Sequence, residues 1–211
     1  VVEIAAAGLL WVWFVNLFNF MDGIDGIAGV ESVALGSGLL VLALVAGADL
    51  RLGLLAAIPA AAALAFLARN WPPAQIFLGD VGSVPLGYIF GFLLLWLARE
   101  GHGVAALLLP LYYLADATFT LLRRLARGEP VWQAHRQHFY QQAARRFESH
   151  ARPVIWIAAL NTVLILLAVA SVVSPVLVWP SLALGVGLVG ALLWYFAETS
   201  PHQPGTRVNG D

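Results

Sequence analysis

Seven runs of mostly apolar residues recur along this chain, near 1–19, 31–48, 52–69, 84–99, 103–122, 153–172 and 177–197. A helix that crosses hydrocarbon needs about 20 mostly apolar residues, with a usual range of about 17–25. Each run approaches that length. Only 11% of the residues are charged and 61% are hydrophobic, whereas a soluble domain carries about 25% charged residues. Such a chain has too little polar surface to face water on all sides. The expected fold class is all-α, a polytopic transmembrane helix bundle of about seven spans. Residues 1–211 read as a single transmembrane domain, with 123–152 as a cytoplasmic loop carrying an interfacial helix. Pro59 and Pro110 fall inside spans, where neighbouring helices can satisfy freed backbone groups. Ser32 and Pro153 sit where helix starts are expected.

The connections between spans divide unequally. One set holds the loops near 20–30, 70–83 and 123–152 and the tail 198–211, with nine arginines: Arg69, Arg123, Arg124, Arg127, Arg136, Arg145, Arg146, Arg152 and Arg207. The other set, near 49–51, 100–102 and 173–176, holds the remaining two, Arg51 and Arg99. This asymmetry predicts that the first set is cytoplasmic. Trp71, Trp96, Trp179 and Trp194 fall near span ends, as interfacial anchors do. There is no cysteine, which excludes disulfides and thiolate chemistry. No basic stripe with interleaved aromatics points to nucleic acid. The opening VVEIAAAGLLWVWFV has no initiator Met, basic segment or cleavage site, so it is no signal peptide. We expect the chain to start inside a larger protein.

Polar residues gather on the predicted cytoplasmic side. The first group is NLFNFMDGIDGIAG, residues 16–29, with Asn16, Asn19, Asp22 and Asp25 every third position. Residues three apart stay close along a helix or tight turn, and Gly23, Gly26 and Gly29 loosen the backbone. Amide and carboxylate oxygens on one face are hard ligands suited to Mg²⁺; a glycine-rich turn with solvated aspartates is the alternative. The second group is QIFLGDVGSVPLG, residues 75–87, with Asp80 between Gly79 and Gly82 and with Ser83 and Pro85 opening the next helix. A carboxylate there suits the helix dipole, which also attracts phosphate; a helix cap is the alternative. The third group is EPVWQAHRQHFYQQAARRF, residues 129–147, where His135, Arg136 and His138 form a donor cluster. Arginine grips phosphate in a bidentate manner. Val131, His135, His138 and Gln142 share a face of an interfacial helix, so anionic lipid headgroups are the competing partner. Zinc is not expected, because His-x-x-His lacks helical ligand spacing and no cysteine completes the set.

Six other polar positions read as structural or surface residues. Asp116, inside the fifth span, pairs with Arg123 or a neighbouring helix. Glu31 caps span two. Asn161 makes an interhelical hydrogen bond. His102, His150 and His202 are surface residues.

NxxNxxDGxDGxxG, FLGDxGSxxLG and AHRxHxYQ, in that order, resemble the motifs of the polyprenyl-phosphate N-acetylhexosamine-1-phosphate transferases. That superfamily includes the phospho-N-acetylmuramoyl-pentapeptide transferase of cell-wall synthesis and the enzymes that initiate O-antigen and related glycans. The resemblance covers about residues 10–150, and AHRQHFYQ looks closest to the O-antigen-initiating branch. It implies a Mg²⁺-dependent enzyme, with Mn²⁺ as a substitute, working at the cytoplasmic face of a bacterial inner membrane. N-acetylhexosamine-1-phosphate would pass from a UDP-sugar to polyprenyl (undecaprenyl) phosphate, releasing UMP. Carried over position by position, Asn19 and Asp80 would be metal ligands, and Asp22, Asp25 and Asp80 catalytic. Asn16, Phe77, His135, Arg136 and His138 would bind substrate, with Asp25 and Phe77 beside the uracil. Homodimerisation stays open.

The family also carries an Asp-Asp motif on an earlier loop, and no Asp-Asp occurs in these 211 residues. The chain is therefore expected to be the C-terminal part of an enzyme, truncated at its N-terminus and inactive alone. A transporter and a non-catalytic scaffold derived from such an enzyme are the competing classes. A transporter would put carboxylates deep in the bilayer and show an inverted repeat.

Overall fold

The computed structural model describes residues 2–130 and 136–198. The regular elements among them are all helical: α1 Val2–Met21, α2 Ile27–Val45, α3 Leu50–Asn70, α4 Asp80–Arg99, α5 Gly103–Leu108, α6 Leu111–Ala126, α7 Phe139–Arg146, α8 Ala151–Val173 and α9 Val178–Glu198. Among the described residues, six helices are long and apolar enough to cross a membrane: α1 to α4, α8, and α9 with the short 3₁₀ turn that leads into it. The protein is a multi-pass helical bundle.

The fifth expected span, 103–122, is not one helix. It divides into α5 and α6 around Pro110. Proline has no N–H for the carbonyl four residues back, and its ring crowds that carbonyl. Pro59 and Pro85, by contrast, remain inside α3 and α4. The broken pair still returns the chain to the end of the bundle that carries the motifs, where α6 meets α7.

Several helix starts differ from expectation. The second helix begins at Ile27, so Ser32 is buried inside it, donating to the Ala28 carbonyl at 2.7 Å. Glu31 is fully buried and caps nothing; its Oε2 accepts from Asn161 Nδ2 of α8 at 2.7 Å. That contact is the interhelical bond expected of Asn161. Glu31 Oε1, Asn161 Oδ1 and the Tyr113 hydroxyl are buried without a hydrogen-bond partner. Helix α4 begins at Asp80, so Ser83 and Pro85 lie within it, and α8 begins at Ala151 with Pro153 in its first turn.

Helices in lipid gain little from hydrophobic burial, so small residues that let backbones approach carry much of the packing. On α2, Gly36 faces Ala56 and Ala60 of α3, and on α3, Gly53 faces Leu40 and Ala43. On α4, Gly87 faces Val15 and Phe18 of α1, and Gly91 faces Trp11 and Phe14. A buried aromatic cluster of Phe18, Phe90 and Tyr113 then joins α1, α4 and α6. These contacts align the motif-bearing ends of α1, α2, α3 and α4 side by side.

Candidate active site

Two neighbouring subsites form at that end. In the first, Asn19 lies in the last turn of α1 and Asp80 in the first turn of α4. Asn19 Nδ2 donates to Asp80 Oδ1 and to Ser83 Oγ, each at 2.8 Å. Ser83 Oγ donates in turn to the Gly79 carbonyl at 3.1 Å. Gly79 itself, not Ser83, occupies the N-cap position of α4, at φ 60°. A Cβ there would meet nothing within 4 Å, so the left-handed backbone and not crowding favours glycine. Asp22, in the turn after α1, is half-buried. Burial first, and the Asp80 carboxylate second, raise its carboxyl to about 6. Asn16 bonds its own helix, donating to the Val12 carbonyl at 2.7 Å.

The second subsite is a cleft of about 690 Å³ lined by Asp25, Pro72, Arg136, Gln141, Arg145 and His150, among others. Asp25 Oδ2 accepts from the Ala74 N–H at 3.1 Å and lies 3.2 Å from His150 Nδ1. The Ala74 bond ties Asp25 to the loop that carries Phe77, which is 76% exposed. Asp22 is not among the lining residues; it stands by Asp80 instead.

Asn70, at the end of α3, had no sequence signal beyond being polar at a span end. It is buried, and its Oδ1 accepts from the Gly26 N–H at 2.9 Å while its Nδ2 donates to the Ile76 carbonyl at 2.8 Å. One side chain thus joins the DGxDG turn to the loop before α4. His150 was read as a surface residue and is instead Asp25's partner, half-exposed at the start of α8. Its role depends on a partner 125 residues away, which no local pattern reveals.

The third motif is arranged differently from the expected amphipathic face. His135 and Val131 lie outside the described residues. Arg136 is exposed and lines the cleft. His138 is the N-cap of α7 and 2% exposed, with Nδ1 at 3.0 Å from Asp116 Oδ1. It faces inward, to a protein carboxylate. Asp116 is not paired with Arg123. It also accepts from the Tyr112 hydroxyl at 3.0 Å, Thr120 Oγ1 at 3.2 Å, and the backbone N–H groups of Phe139 and Tyr140 at 3.1 Å each. The Tyr140 hydroxyl donates to the Phe20 carbonyl at 3.2 Å and stands against Gly23. Among the described residues, no three His, Cys, Asp or Glu side chains group closely enough to hold a metal by themselves.

Fold and site define a class: multi-pass helical membrane proteins with a carboxylate-rich site and an arginine-lined cleft at one end of the bundle. Residues 1–98 match the family model of Glycosyl transferase family 4. Over 179 residues the chain is 31% identical to the probable undecaprenyl-phosphate N-acetylglucosaminyl 1-phosphate transferase of Bacillus subtilis, covering 82% of this chain and 49% of that protein. It is 42% identical over 96 residues to the phospho-N-acetylmuramoyl-pentapeptide-transferase of Moorella thermoacetica, 44% of this chain and 29% of that one. The enzyme of the same name from Lacticaseibacillus paracasei is 34% identical over 119 residues, 54% of this chain and 35% of that one. The chain belongs to the polyprenyl-phosphate N-acetylhexosamine-1-phosphate transferase superfamily, in glycosyl transferase family 4. It spans about half the length, or less, of these curated relatives.

Proposed function

We propose that the protein carrying this chain transfers N-acetylhexosamine-1-phosphate from a UDP-sugar to a polyprenyl phosphate. An oxygen of the lipid phosphate attacks the sugar-linked phosphorus, the bond to UMP breaks, and UMP leaves. The observation that carries this reading is the DGxDG turn, residues 22–26. It delivers one carboxylate, Asp22, to the neighbourhood of Asp80, which Asn19 holds by a hydrogen bond, and the other, Asp25, to a cleft with two arginines. Phosphoryl transfer between two anions asks for such a pairing of positioning and charge neutralisation.

Asn19 and Asp80 offer hard oxygen donors, and Asp22 stands close enough to Asp80 for its carboxyl to be raised by it. That donor chemistry fits a small divalent cation, Mg²⁺ or in its place Mn²⁺. When bound, the cation would supply charge neutralisation across the phosphates. Arg136 and Arg145 hold the pyrophosphate, and Asp25, fixed by Ala74 and His150, orients the nucleotide. No residue of this chain is given the task of activating the lipid phosphate. The sequence asymmetry of nine arginines in one set of expected connections against two in the other supports a site on the cytoplasmic face of a bacterial inner membrane. A cell-surface glycan such as O-antigen fits the form of the third motif.

The test is radiolabel exchange with the protein expressed from its complete reading frame. Labelled UMP is expected to enter UDP-sugar only when both polyprenyl phosphate and Mg²⁺ are present, for at least one sugar of an N-acetylhexosamine panel. Folded protein that exchanges label with no sugar overturns the reading.

A pH dependence follows from Asp22. Its carboxyl, raised to about 6, is protonated below that value. Activity that needs the carboxylate therefore falls as pH drops through about 6. Added Mg²⁺ favours the ionised form and moves that midpoint down. Asp22→Asn removes the acid limb. Initial rates on both sides of the midpoint, at low and saturating Mg²⁺, check this.

A further inference from the structure

Asp116 is fully buried on α6, yet it receives five hydrogen-bond contacts from two elements. Oδ1 faces Thr120, the His138 ring and the Phe139 N–H; Oδ2 takes Tyr112 and the Tyr140 N–H. The first N–H groups of any helix lack intrahelical partners. Here a carboxylate more than 20 residues back in sequence accepts from two of them. It thereby seats α7 at a fixed position and rotation. Arg136 precedes the N-cap by two residues, and Gln141 and Arg145 on α7 line the cleft with it. From the same first turn, Tyr140 reaches the Phe20 carbonyl and packs against Gly23, beside Asp22. One buried group therefore sets α7 against both subsites.

We infer that Asp116 is a positioning residue. Through His138 and the first turn of α7 it places Arg136 and Arg145 at the cleft and fixes the DGxDG turn, without touching substrate itself. The inference rests on the UDP-sugar reading of the cleft. A carboxylate accepts at every lone pair, whereas an amide presents donors on one side. In Asp116→Asn, whichever way the amide turns, at least one of these five contacts meets a donor.

The experiment compares the wild type with Asp116→Asn, His138→Ala and the double variant, using protein from the complete reading frame in detergent. Kinetics, thermal unfolding and amide exchange of residues 139–143 are read together. Misplacing a binding group costs about 10- to 100-fold. Asp116→Asn is expected to raise the KM for UDP-sugar about 10-fold or more, a larger change than in the Mg²⁺ concentration for half-activity. Amides at the start of α7 are expected to exchange faster. The double variant is expected to be no worse than the worse single one, because the two residues act as a unit. Arg136→Ala gives the reference size of the KM effect.

Additive losses in the double variant overturn the inference. So does a lower unfolding temperature with unchanged KM and unchanged α7 exchange, which would leave only a bundle contact. Should the wild type turn over no UDP-sugar, the functional reading fails by itself. The exchange arm then still decides whether Asp116 seats α7: faster exchange supports it, and unchanged exchange overturns it.

Discussion

Asp80→Asn is expected to lower phosphosugar transfer about 100-fold, equivalent to about 2.7 kcal/mol of barrier, while the protein still folds. An asparagine at this position keeps an oxygen able to accept from Asn19, now at 2.8 Å. The local hydrogen bond survives and the charge does not. A negative charge in the first turn of a helix contributes about 0.3–1 kcal/mol through the helix dipole, too little to unfold a bundle packed as this one is. The loss should therefore appear in kcat and in the Mg²⁺ requirement and leave the unfolding temperature nearly unchanged. A second consequence separates this account from a general disturbance. Asp80 is one of the two causes that raise Asp22, so its removal should move the acid limb of the rate profile to lower pH. A loss under about tenfold, or about 1.4 kcal/mol, together with an unmoved acid limb, would show that Asp80 is no metal ligand.

Gly36→Leu should be the most damaging single change to the bundle among the helix-packing glycines. A Cβ at Gly36 would already collide with Ala60 Cβ and stand 2.5 Å from the Ala56 carbonyl oxygen. Backbone cannot swing aside as the end of a flexible side chain can. Overpacking costs typically about 1–3 kcal/mol and occasionally more, and a whole isobutyl group belongs at the upper end. Because α2 carries the DGxDG turn at its start and α3 carries Asn70 at its end, separating them also breaks the Gly26–Asn70 bond. Thermal unfolding in detergent should show a large drop, with activity lost in parallel. The same substitution at Gly190 of α9, where a Cβ meets nothing within 4 Å, serves as the control. Equal stability of the two variants would disprove the close-packing account.

Much of the architecture was readable because lipid imposes a simple requirement. Every backbone polar group in hydrocarbon must be satisfied within the protein, most simply by an unbroken apolar helix, so length and apolarity locate most spans. Six expected spans became long helices within a few residues of their expected limits. The fifth became two, because the same proline chemistry has different outcomes in different surroundings. Pro59 stays within α3, and Pro110 ends up between α5 and α6. Helix starts were missed for a related reason. Ser32 and Ser83 look like caps, but glycines at positive φ, Gly26 and Gly79, occupy those positions. The turn at Gly26 is held by Asn70, 44 residues further along the chain.

The candidate site was legible where its members lie within a few residues and illegible where they do not. The ladder Asn19, Asp22, Asp25 and the GD pair at Asp80 stand out as polar groups in apolar surroundings. What the sequence alone determined is that a helical membrane protein gathers these groups at one end of its bundle. Their division into two subsites, with Asp22 going to Asp80 and Asp25 to His150, was decided only by tertiary structure. So was the inward turn of His138 onto Asp116, which a helical wheel drew facing a partner outside. The physical reason is the same in each case. A carboxylate's role depends on which donors and charges surround it, and here the deciding partners include residues 22 to 125 positions away, brought together by glycine and alanine contacts that carry no chemical signature of their own.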